Sequence, residues 1–257
     1  MGAPPLIQSE IADLNRVARR GRELIAITRA GIIATQDMLS RVTNPEGAGI
    51  DGWVAEAEGA SMTVTFFDNT DDGPKVVYRA TVQGPRVTSR DTFLGTFRPP
   101  LSRAVARLAT ARNAVQALNH NACSPQGFNY LVVPPTTAGG AILVYEVSAQ
   151  SQRGRFPIGG HFRTSVSSNG EVGESHAFAT ACADITVTEP PAGQQPPPVE
   201  VASGPDPWPT EIHVLMSAMS GRALTFSAGQ PSRQWLVAGP RIAEIRDGAP
   251  RFLTTQE

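Results

Sequence analysis

Residues 160–187, GHFRTSVSSNGEVGESHAFATACADITV, decide the reading of the fold. Asn169-Gly170 is the strongest short-range turn signal in the chain, because both residue types tolerate the positive φ that a type I′ hairpin turn demands. A two-residue loop there pairs Ser168 with Glu171, Ser165 with Glu174 and Arg163 with His176. Side chains alternate along a strand, so His161, Arg163, Ser165, Glu174 and His176 share one face. Phe162, Thr164, Val166, Ser175 and Ala177 share the other, which reads as the core side. A four-residue loop, Ser167–Gly170, keeps the same faces; only an odd slip scatters the polar group.

Outward from this hairpin, the periodicity sorts the chain into an N-terminal helical segment and many short strands. Residues 6–42 read as helix, with Ile7, Ile11, Leu14, Ala18 and Ile25 at helical spacing and Arg16, Arg19, Arg20 and Arg22 off that stripe. The arginines read as a solvated face, with an anionic partner as the alternative. Gly21 and Gly31 weaken the interior, so a kink or two helices is expected. From Gly52 to Val87 the period changes to two: Trp53–Glu56, Ser61–Phe67 and Lys75–Val82 read as antiparallel strands. Asp68–Pro74 is a plain acidic turn, because the spacing and distal Glu of a calcium loop are missing.

Pro99-Pro100 breaks the chain, and Ser102 caps a second helix to about Asn119. Its buried stripe is Leu101, Val105, Leu108, Ala111, Val115 and Leu118. Tyr130–Val133 and Ala141–Val147 follow as strands. Glu189–Pro209, EPPAGQQPPPVEVASGPDPWP, is an extended Pro-rich spacer. Beyond it Glu211–Ala218, Ala223–Ser227, Gln234–Val237 and Ile242–Ile245 read as strands, too few to bury their own apolar residues. The fold class is therefore α+β: a mostly antiparallel sheet with an N-terminal helical segment and one further helix packed on it. The organisation reads as a helical segment at 1–45, an α+β core at 50–189, a connector at 190–209 and docked C-terminal strands at 210–257.

The 257 residues include 22 Lys and Arg against 23 Asp and Glu, a net charge of −1. No overall field recruits nucleic acid or an anionic membrane. No apolar run approaches the ~20 residues of a membrane span. The opening MGAPPLIQSE has no apolar signal core, and reads either as a mature, processed start or as a native one. Two cysteines allow one pairing. We expect a Cys123–Cys182 disulfide, since the segments they flank pack together; the alternative is two buried free thiols. No spacing of a metal site and no cofactor motif is present.

Several short motifs resemble a group of probably exported proteins of Gram-negative bacteria that have no assigned function. They are Gly52-Trp53-Val54 before a strand, Cys123-Ser124 after the helix and Gly160-His161-Phe162-Arg163 before the hairpin turn. Pro209-Thr210-Glu211-Ile212-His213-Val214, with Trp235 beyond it, completes the set, which spans residues ~30–245. The resemblance implies a periplasmic or secreted location, with a cytoplasmic one as the alternative, and carries no activity or site.

The candidate ligand-binding residues are His161, Arg163, Ser165, Glu174 and His176. A histidine there offers a base, Glu174 an orienting carboxylate and Arg163 an anion partner. No Gly-x-Ser-x-Gly elbow surrounds Ser165 and no HExxH exists. The expected function is thus a non-catalytic binding or interaction protein whose partner is another protein or a small ligand. The alternative is a hydrolase-like enzyme using the face of His161, Glu174 and His176.

Overall fold

The computed structural model describes residues 4–95, 97–137, 139–187 and 196–254. The part of the Pro-rich connector from Glu189 to Gln195 lies outside the described residues. α1 (Gln8–Leu39) runs as one helix of 32 residues, without the break that its glycines suggested. A methyl built on Gly21 would lie 2.2 Å from Val214 Cγ1, and one built on Gly31 would lie 2.6 Å from the Trp53 ring. Both glycines are therefore points of close approach, and the packing they permit outweighs their poor helix propensity.

Two four-stranded antiparallel sheets lie beside α1. The first is a meander of β1 (Gly52–Glu58), β2 (Ser61–Thr70), β3 (Gly73–Gln83) and β4 (Arg86–Thr92). The second contains β5 (Phe128–Val133), β6 (Ile142–Ser148), β8 (Phe162–Val166) and β9 (Val172–Ala177), in that order. Between β6 and β8 the chain makes β7 (Arg155–Pro157), which pairs with β10 (Asp184–Thr186). α2 (Arg103–Gln116) begins where Ser102 Oγ accepts the Val105 N–H at 3.2 Å. It packs on one face of both sheets, against Val54, Phe67 and Val76 of the first and Val132, Val144 and Val166 of the second. Leu118, expected in its stripe, lies past the helix end and is exposed. The opposite faces of both sheets, through Phe66, Tyr78, Leu131 and Tyr145, join the cluster built on α1.

The tail departs most from expectation. Glu211–Ser220 is not a strand but a helix, α3. The alternation of Ile212, Val214 and Met216 against His213 and Ser217 suggested a strand, but Leu215 breaks it. Residues from Glu211 to Ser217 are buried on every side, the pattern of a helix enclosed by protein. Its limits were legible: the Thr210 N–H donates to the His213 ring at 3.1 Å, and Gly221 closes the last turn at φ 66. A five-stranded sheet then forms from β11 (Val199–Glu200), β12 (Leu224–Ala228), β13 (Arg233–Ala238), β14 (Arg241–Arg246) and β15 (Ala249–Phe252). Gly239-Pro240 makes the two-residue turn between β13 and β14, with Gly239 at φ 56. The α+β class stands, with several sheets in place of one large sheet and a third helix among the described residues.

The organising hairpin keeps its expected Arg163–His176 pairing. Its turn differs. Asn169 does not adopt positive φ; Gly170 alone does, at 88. The Ser167 N–H donates to the Glu171 carbonyl and the Gly170 N–H to the Ser167 carbonyl, so the loop is the three residues Ser168–Gly170. The extra residue is absorbed by a bulge that places Val166 opposite Val172 and removes the expected Ser165–Glu174 pair.

Candidate functional site

The hairpin's polar face is covered rather than solvent-facing. Arg163 sits between Tyr145 and His176 across the sheet, and α3 and the connector close over them. Arg163 donates to Glu211 Oε1 at 2.8 Å, and the Tyr145 hydroxyl donates to the same oxygen at 2.8 Å. Burial pushes the Tyr145 phenol up, and the Glu211 carboxylate adds to that. His176 meets Asp206 of the connector at 3.1 Å and packs edge-on against Phe178. Arg163 and His176 thus hold the tail in place, each through its own carboxylate. Glu174 is exposed and has no ion pair among the described residues, and Ser165 is half-buried. The bulge separates these two from the rest of the face.

His161 is wholly buried. Its Nδ1 accepts the Ser148 N–H at 3.1 Å and its Nε2 donates to the Pro157 carbonyl at 3.0 Å. Burial holds its pKa down at about 4, with the Pro157 carbonyl opposing the shift. The ring is neutral, and both nitrogens are engaged. Its two partners form part of the wall of a cleft, so His161 shapes that cleft from behind. The disulfide does so from the side. Cys123 and Cys182 are bonded, with Cα atoms 5.4 Å apart. The Cys123 N–H donates to Ser148 Oγ at 2.9 Å, and Ser148 Oγ donates to the Gly160 carbonyl at 2.7 Å.

The cleft encloses about 500 Å³ between α1, α3 and the face of the second sheet beside β1. Its floor is apolar: Leu131 and Val147 from the sheet, Leu215, Met216 and Met219 from α3, Trp53 from β1. Its rim carries the uncharged amides of Gln36, Gln126, Asn129 and Gln150. Among the described residues no ionisable side chain lines it. Thr28 lines it too, with its Oγ1 shielded from the cleft and without a hydrogen-bond partner among the described residues. Volume, apolar lining and a few placed polar groups are those of a small-ligand pocket.

The sequence reading missed this cleft, because its walls come from six elements spread from Thr28 to Met219. Trp53 and the His161 segment, singled out among the short motifs, were the visible part of it. One further histidine–carboxylate contact and one further buried histidine lie elsewhere. His120 Nδ1 meets Glu146 Oε2 at 2.5 Å under the stacked Phe162 ring, and burial raises the Glu146 carboxyl despite this partner. His213 is buried against Phe226, with its pKa pushed down to about 4 by burial and by nearby His161. Among the described residues no three His, Cys, Asp or Glu side chains form a group able to hold a metal ion.

No family model, curated protein or solved structure matches the chain. The reading therefore rests on this geometry. Among the described residues no helix is long and apolar enough to cross a membrane.

Proposed function

We propose that the protein is a non-catalytic binding protein that holds a small, uncharged, largely apolar ligand in the cleft between α1, α3 and the second sheet. The observation that carries this reading is the apolar lining of a cleft of about 500 Å³ whose polar groups are uncharged amides and hydroxyls. Methionines suit such a role, because an unbranched, polarisable side chain adapts to ligands of varied shape. The uncharged amide rim supplies hydrogen bonds without requiring charge on the ligand.

The hydrolase alternative lacks comparable support. His161 has no free nitrogen, and His161, Glu174 and His176 do not converge. A periplasmic or secreted location forms part of the proposal. The disulfide supports it, since such bonds persist in oxidising compartments, and the resemblance to exported proteins points the same way.

A neutral, environment-sensitive dye such as Nile red tests the cleft. Its fluorescence should rise on mixing with the intact chain, with energy transfer from Trp53. Thr35→Trp, at a half-buried position on the cleft lip, should lower dye affinity at least tenfold while leaving the melting temperature within a few degrees. Dye binding that ignores this substitution, or no dye binding at all, would sink the reading.

A further inference from the structure

A second cleft, of about 570 Å³, lies on the other side of the α1–α3 contact, where the end of α3 meets the β13–β14 turn. Four arginines line it: Arg22 and Arg29 from α1, Arg222 just after α3, and Arg241 at the start of β14. Arg22 and Arg29 are two helical turns apart on one face of α1, with Ala26 between them leaving the space open. No Asp or Glu lines the cleft, and none of the four arginines has a carboxylate partner among the described residues.

Arg98, Arg163 and Arg233 each reach a carboxylate, whereas buried Arg112 is met instead by the side-chain oxygens of Asn113 and Gln116. Arg222 is buried, and among the described residues its side chain makes one hydrogen bond, from Nη2 to the Pro197 carbonyl at 2.7 Å. Its Nε is buried with no partner among the described residues. Arg241 is held over the Phe252 ring at 4.7 Å, a contact that orients the guanidinium without neutralising it. The end of the α3 dipole favours a cation nearby, but it accounts for one arginine rather than four. None of the four side chains donates to an α3 carbonyl.

We infer that this cleft binds a phosphorylated ligand, the four guanidinium groups of Arg22, Arg29, Arg222 and Arg241 supplying the forked donors that phosphoryl oxygens accept. Guanidinium forks match phosphate oxygens two at a time, so four of them suit a group with more than one phosphate charge. The near-zero net charge of the chain makes this a local site and not a general affinity for polyanions. The site is independent of the apolar cleft, which no ionisable group lines.

Calorimetric titration of the full chain with pyrophosphate at low salt tests a soluble source. Co-sedimentation with vesicles of phosphatidylcholine, with and without phosphatidic acid, tests a lipid headgroup. We expect pyrophosphate or phosphatidic acid to bind and the affinity to fall as salt is added. The double variant Arg22→Gln/Arg29→Gln changes side chains that are at least partly exposed and spares the fold, as a melt will check. It should weaken binding by roughly 10-fold to 100-fold, the loss of charge-assisted hydrogen bonds. Arg16→Gln, on the same helix but outside the cleft, should leave binding unchanged. Either source binding with this pattern supports the site. No binding from either source, or full-strength binding by the double variant, overturns it.

Discussion

The two four-stranded sheets have the same helix, α2, on one face, yet they are closed on the other face by different means. The first is a meander of consecutive strands, and α1, its immediate predecessor in the chain, covers it with apolar contacts such as Trp53 on Gly31. The second is interrupted by β7; α1 reaches it at β5, and α3, which begins 34 positions after its last strand ends, closes over Tyr145 and Arg163. Its cover is pinned by polar devices: Arg163 and Tyr145 on Glu211 and His176 on Asp206. Both covers carry polar pins, since Asp37 of α1 accepts from Tyr78 and pairs with Arg90 of the first sheet; the sheets differ in how far along the chain their cover lies. Where the distant cover is incomplete, a cleft remains. This is why the apolar cleft sits at the edge of the second sheet.

The strongest way to break this comparison is to delete the distant cover. Removing residues 191–257 takes away α3 and uncovers Tyr145 and Leu131. The buried Ile212, Val214, Leu215 and Met216 each contribute roughly 1.5–3 kcal/mol through burial, together comparable with the whole stability of a domain. We expect an insoluble or non-cooperatively melting fragment. A soluble 1–190 fragment with an unchanged melting temperature would show that the second sheet does not depend on the tail.

Reducing the disulfide should have the next largest effect. The bond joins cysteines 59 residues apart, and the chain-entropy model gives a loss of about 4 kcal/mol for such a loop. Hydrogen exchange should then rise around Ser148, His161 and β9 while β2 and β3 stay protected. Equal loosening of both sheets would contradict the division between them.

Lowering the pH attacks the same region through His161. Its folded pKa, about 4, lies below the ordinary value of 6.5, so the unfolded chain binds the proton first. The stabilisation is complete above pH 6.5 and is lost as pH falls through that range toward 4, by on the order of 3 kcal/mol. Buried His213 acts in the same direction. His161→Gln should flatten the dependence of melting temperature on pH between 6.5 and 4. An unaltered slope would mean that His161 does not remain neutral in the fold.

The smallest expected effect sharpens the comparison within α1 itself. Gly21→Ala presses on α3 through Val214, and Gly31→Ala presses on the first sheet through Trp53. Each methyl forces a shift costing about 1–3 kcal/mol, offset by about 1 kcal/mol of helix propensity. Gly21→Ala should lower the affinity of the apolar cleft for dye by moving α3. Gly31→Ala should instead shift the Trp53 emission. If both variants melt like the parent chain, these crossings are looser than the geometry requires.

Much of the core was legible because its periods are local. The α2 stripe through Val105, Leu108, Ala111 and Val115, the meander from Trp53 to Val82 and the Arg163–His176 register all follow from spacing along the chain. The α3 helix was not read, because four apolar residues within five positions satisfy a strand and a buried helix alike, and only enclosure on all sides distinguishes them. The hairpin turn was misread because Asn-Gly fits a two-residue and a three-residue loop equally well. The strand neighbours then settle the choice through the bulge beside Val166.

The candidate site divides in the same way. By itself the sequence determined that Arg163 and His176 belong to one strand pair, that the two cysteines have only each other to pair with, and that the arginines of α1 leave its apolar stripe; His161, read with them, lies just before β8. Alternation and helical spacing are properties of neighbouring residues, and they need no partner to be read. Only the tertiary structure decided that Glu211 reaches Arg163 and Asp206 reaches His176, that Thr28 lines an apolar cleft, and that Arg22 and Arg29 meet Arg222 and Arg241 around another. Whether a charge is paired, buried or left open depends on which distant segment lies over it, and packing alone sets that.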